Sequence, residues 1–103
     1  ERVVLLVIDG LGWTQLADRT ALTPALHGLD GGPITTVAPS TTATALTSIT
    51  TGLPPGQHGV VGYRMAVDGE VLNVLRWNTA TGDARQSIPP AKVQQQTRPA
   101  PEL

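Results

Sequence analysis

The chain has 103 residues, a formal net charge of −1 and no cysteine. That length suits one small domain, and the near-neutral charge without any basic run argues against a nucleic-acid polymer or an anionic membrane surface as partner. Missing cysteines remove disulfides, thiolate metal sites and cysteine catalysis together, a pattern that fits the cytoplasm without fixing the location.

Residues 3–8 read VVLLVI, an aliphatic run with no polar alternation, closed by Asp9 and Gly10. Such a run predicts a strand buried on both faces, as in a parallel α/β sheet. It is too short to span a membrane, and no small-residue cleavage site follows it. The next stretch, TQLADRTALTPALHGLD, sets Leu16, Ala17, Leu22, Ala25, Leu26 and Leu29 at roughly helical spacing. Pro24 divides it, which predicts two short helices with the second starting near Thr23, because proline is tolerated in a first helical turn. PITTVAP, residues 33–39, predicts a second strand. TTATALTSITT, residues 41–51, predicts a third helix with Ala45, Leu46 and Ile49 facing inward. GLPPGQHG is a loop stiffened by proline and glycine. YRMAVDGEVLNVL predicts a hairpin, since Asp68-Gly69 is a strong two-residue turn signal between apolar runs. The closing IPPAKVQQQTRPAPEL is rich in Pro and Gln and reads as a linker or tail.

The order is strand, helix, helix, strand, helix, loop, hairpin. It is the opening of an α/β fold. Residues 1–77 form its N-terminal part, and residues 78–103 lead away as an irregular tail. The first residue is Glu1, and both ends read as cut, so a piece of a larger protein is expected.

In open α/β sheets ligands collect where strands run into helices. Asp9 stands at one such point, followed by Gly10 and Gly12, and its carboxylate could hold a hard cation or zinc. Capping a helix or fixing the turn is an equally good use of it. The second point is APSTTATA, where Ser40, Thr41 and Thr42 sit at a helix start beside exposed N–H groups and a dipole that favours phosphate. A hydroxyl there could attack phosphorus, but Ser and Thr are also favoured caps. Local chemistry leaves all three open. His27 reads as a surface or packing residue, and His58, between glycines, as a hydrogen-bonding loop fixer. Phosphate-loop, serine-elbow and HExxH patterns are absent.

Taken together, VVLLVIDGLGW and PSTTATALTSITTGLPPGQHGVVGY resemble the type I phosphodiesterase/nucleotide pyrophosphatase family of the alkaline phosphatase superfamily, over residues 2 to about 77. The resemblance implies a partial alkaline-phosphatase-like doubly wound sheet, with the hairpin near its C-terminal end. It implies Asp9 as a metal ligand. Thr42, nine residues before Thr51 of the Thr51-Gly52 pair, becomes both nucleophile and ligand of the same metal, with Thr41 its nearest rival. Two divalent ions, usually zinc, would serve an in-line displacement on a small phosphate-ester substrate through a phospho-threonine intermediate. The other ligands are expected outside this chain, since Asp68 in a turn and Asp83 in TGDAR are poor substitutes. Where the family carries Pro and Asn after the nucleophile, this chain has Thr44 and Ala45. That departure keeps open a phosphomonoesterase, sulfatase or phosphomutase of the same superfamily, and a non-catalytic degenerate domain.

Overall fold

A computed structural model describes residues 2–95 of the chain. It divides into two compact units, Glu1–Thr35 and Thr36–Leu103, each with its own internal contacts.

In the first unit, residues 2–8 belong to no helix or sheet, and their side chains are exposed, Val3 at 88% and Val4 at 91%. The expected strand over residues 3–8 therefore does not form. Helix α1, Trp13–Ala17, is followed by a 3-10 turn, Thr20–Leu22, and helix α2, Pro24–His27. Pro24 occupies the first turn of α2 directly after Thr23, as its fixed φ and missing N–H predict. Thr23 Oγ1 donates to the Arg19 carbonyl at 3.0 Å, which ties the turn to the helix behind it.

The second unit holds the core. Helix α3, Thr42–Thr51, begins after Thr41 and stops at Gly52, whose φ of 70° is left-handed and whose N–H donates to the Ser48 carbonyl at 2.9 Å. Threonine is a poor helix former because its hydroxyl competes for backbone groups. In α3 that competition is turned inward: Thr47 Oγ1 donates to the Ala43 carbonyl, Thr50 to Leu46 and Thr51 to Thr47. Helix α4, Pro55–His58, starts on a proline and ends at Gly59, again left-handed at φ 75°.

Four short strands follow: β1, Arg64–Val67; β2, Glu70–Asn73; β3, Asn78–Thr79; and β4, Gly82–Asp83. They form one antiparallel meander in the order β1-β2-β3-β4. Asp68 and Gly69 join β1 to β2, both at positive φ (51° and 82°), which is a type I′ turn. Helix α5, Pro90–Gln95, closes the described part.

Opposed residues in a ladder share a face, so the register puts Met65, Val67 and Leu72 on one side. Val67 and Leu72 are buried there with Ala43, Val60, Ala84, Ile88 and Val93, and Met65, Val74 and Trp77 pack against them. Trp77 also donates its indole N–H to the Ile88 carbonyl at 2.7 Å.

Four further expectations are corrected. No doubly wound parallel sheet is present among the described residues, and residues 33–39 form no strand. An apolar run states which surroundings would suit a strand, but a strand exists only once a neighbouring strand supplies its hydrogen bonds. In α3 the residues facing inward are Ala43 and Thr44, while Ala45 and Leu46 are half-buried and Ile49 is exposed. The segment from Ile88, read as linker or tail, instead gives Ile88 and Val93 to the core and forms α5; residues 96–103 of that segment lie outside the described residues.

Candidate active site

The start of α3 sorts the three hydroxyls that the sequence left open. Thr41 is extended (φ −84°, ψ 151°), and its Oγ1 accepts the Thr44 N–H at 3.4 Å and lies 2.8 Å from Thr44 Oγ1. Its carbonyl accepts the first intrahelical bond, from Ala45 N–H at 2.9 Å. Those are the marks of an N-cap. Thr42 is then the first helical residue, half-buried, at the positive end of the helix dipole. Ser40 is exposed and lies outside the helix, and Thr44 is fully buried beside the cap.

Asp9 belongs to the first unit. It is exposed, in a turn with Gly10, whose φ of 77° calls for glycine although no heavy atom crowds the position.

His58 is almost fully buried, at 1% exposure. Its Nδ1 accepts the Val60 N–H at 3.1 Å, so in the neutral ring the proton sits on Nε2. Nε2–H therefore donates to Ser48 Oγ, 2.8 Å away. A histidine acting as base towards a serine must accept the hydroxyl proton, and this one points a proton at the oxygen. The pair is a clasp between α3 and α4, in keeping with the loop-fixing role read from Gly56 and Gly59. Nothing in the sequence singles out Ser48, since its partner lies ten residues away and no motif announces the contact. His27 is exposed, and its ring Nε2 donates to the Leu16 carbonyl at 3.3 Å, a local tie within the first unit.

The remaining acidic candidates are occupied elsewhere. Asp68 pairs with Lys92, and Asp83 with Arg85. The Asp83 carboxyl is held below its ordinary range, first by the Arg85 backbone N–H at 2.8 Å and then, against slight desolvation, by the Arg85 guanidinium. Among the described residues no three or more His, Asp or Glu side chains converge on a point. Zinc needs about four protein or water donors, so the donors described here do not make a metal centre by themselves.

Comparison with known proteins supplies the remaining observation: residues 3–99 match the family described as type I phosphodiesterase/nucleotide pyrophosphatase. The chain belongs to that family. The match runs past the hairpin and includes β3, β4 and α5. No curated protein and no solved structure matches the chain. A type I phosphodiesterase relative is a hydrolase of phosphate esters and typically needs metal ions. Among the described residues no helix is long and apolar enough to cross a membrane.

Proposed function

We propose that this chain carries the nucleophile of a phosphodiester- or pyrophosphate-hydrolysing enzyme, and that Thr42 is that nucleophile. The observation that carries the reading is the division of labour at the start of α3. Thr41 spends its hydroxyl on the cap, which leaves Thr42 as the first helical residue in a segment that matches the family. Thr42 Oγ1 attacks phosphorus in line with the leaving oxygen and passes its proton to solvent water, from which the leaving oxygen takes one. A P–O bond to threonine forms as the bond to the leaving group breaks. Water then attacks the phospho-threonine, releases the product and returns the hydroxyl. Backbone N–H groups at the helix start favour the phosphoryl oxygens throughout.

Two divalent ions, usually zinc in this family, would supply the charge that such a displacement requires. Asp9 and Thr42 are the donors that this chain offers them, and the rest would come from outside the described residues. Residues 1–77 would then be the N-terminal part of the catalytic domain.

Turnover of a bis-nitrophenyl phosphodiester by the full-length protein tests the reading. Thr42→Ala should lower kcat by roughly 10³-fold or more, as loss of a nucleophile does, while zinc binding measured by calorimetry largely persists through the remaining donors. Thr41→Ala should lower stability by about 0.5–2 kcal/mol and leave most of the turnover. Full activity in the Thr42 variant would overturn the assignment. Ala45, in place of the family's Asn, favours a second reading as a monoesterase or sulfatase. Rates on a nitrophenyl monoester and a sulfate ester, set beside the diester, separate these.

A further inference from the structure

The sequence holds three Asp-Gly pairs, Asp9-Gly10, Asp30-Gly31 and Asp68-Gly69. Each is a place where the chain can react with itself. The glycine amide nitrogen attacks the aspartate Cγ, and without a Cβ on the glycine little shields that approach. The reaction needs three freedoms together: a carboxyl group without a partner, an amide N–H outside any hydrogen bond, and a backbone able to swing the nitrogen towards Cγ. The structure distributes these freedoms unequally.

Asp68-Gly69 has the least of them. Both residues hold positive φ, 51° and 82°, in the type I′ turn that joins β1 to β2, and the ladder on either side fixes that turn. The Asp68 carboxylate is in addition paired with Lys92. Asp9-Gly10 is also a turn, with Gly10 left-handed at φ 77°. Asp30-Gly31 differs from both. It follows α2, lies outside any helix, strand or turn, and leaves Asp30 exposed. Among the described residues no hydrogen bond or ion pair holds the Asp30 carboxylate or the Gly31 N–H. No heavy atom lies within 4 Å of where a Cβ would stand at Gly31 or Gly32, so nothing crowds the segment that has to move.

We propose that Asp30-Gly31 is a site of spontaneous isoaspartate formation. The Gly31 nitrogen forms a bond to Cγ of the protonated Asp30 side chain. The carboxyl hydroxyl leaves as water, taking the amide proton, and a five-membered succinimide remains. Water then adds to one of its two carbonyls. Opening at Cγ returns aspartate. Opening at the backbone carbonyl gives isoaspartate, in which the chain runs through the former side-chain carbon. No oxidant, metal or second protein takes part. The product lengthens the backbone by one carbon between α2 and the segment that leads to α3, and it leaves the carboxylate directly on Cα. The modification is separate from the chemistry assigned to Asp9 and Thr42.

The test incubates the full chain warm in mildly acidic buffer and digests samples taken over days to weeks. Peptide mapping locates isoaspartate as peptides that resist a protease cutting before aspartate and that accept a methyl group from an isoaspartyl methyltransferase. It should accumulate at Asp30 ahead of Asp9, and roughly tenfold faster than at Asp68, because the hairpin reacts only in its rare opened form. In concentrated urea this advantage should vanish, since all three pairs then belong to an open chain. Asp30→Glu should remove the signal at that position while circular dichroism stays unchanged, because glutamate has to close a six-membered ring, which forms far more slowly. Formation at Asp30 no faster than at Asp68 in the folded chain overturns the proposal. So does an advantage that survives in urea, which would place its cause in neighbouring residues rather than in the fold. Neither outcome bears on Thr42, whose reading rests on turnover.

Discussion

At the scale of single residues, the hydroxyls of α3 show how one residue type takes different duties within three turns. Thr41 caps, Thr47, Thr50 and Thr51 return their protons to the helix backbone, and Ser48 receives a proton from His58. Their energetic weights differ for a physical reason. Removing the Thr47 hydroxyl leaves a carbonyl that still has its helix partner, so Thr47→Ala should change stability by less than about 0.5 kcal/mol. Removing the Ser48 hydroxyl strands an N–H on a ring only 1% exposed. Ser48→Ala should therefore cost about 1–3 kcal/mol in urea unfolding, while kcat changes little. A stability loss no larger than that of Thr47→Ala would mean that water replaces the serine, and a collapse of kcat would place Ser48 and His58 in the catalytic machinery.

Individual elements were legible where the signal is local. Asp68-Gly69 announced its hairpin because a type I′ turn needs two positive φ values, which few residue pairs tolerate. Gly69 has open space around it, so a Cβ there would meet no atom, and the cost of Gly69→Ala is backbone strain alone. Thermal unfolding should show a loss of about 1 kcal/mol, and an unchanged midpoint would mean that the turn relaxes to another type. The second hairpin, turning through Ala80 and Thr81, went unread since neither residue marks a turn. Helix α5 was hidden by the prolines and glutamines around it, and only Val93, fully buried, shows why it packs. At the start of α3, composition placed the functional candidates within three residues. The hydrogen bond from Thr44 N–H to Thr41 Oγ1 then identified the cap, which no propensity could have done.

For the molecule as a whole, the decisive contrast is between two apolar strand-like segments. Val67 and Leu72 sit in ladders and are buried, whereas residues 3–8 have no ladder and leave Leu5 and Leu6 at 69% and 71% exposure. The run over residues 3–8 is apolar and β-prone, but sheet membership depends on a partner that no single segment specifies. That leaves a measurable consequence. Six consecutive uncharged residues of high β-propensity, with their backbone groups outside any sheet, are a template for pairing between chains. The 103-residue chain alone should self-associate as its concentration rises, seen as growing mass in light scattering. Leu5→Lys should suppress this, because a charge within the run opposes stacking of identical segments. The substitution touches no residue of the buried cluster in the second unit, so the near-ultraviolet signal of Trp77 should persist. If Leu5→Lys associates as readily as the parent, the sticky surface lies elsewhere, and the exposed Val61, Val71 and Leu75 of the second unit become the next segment to charge.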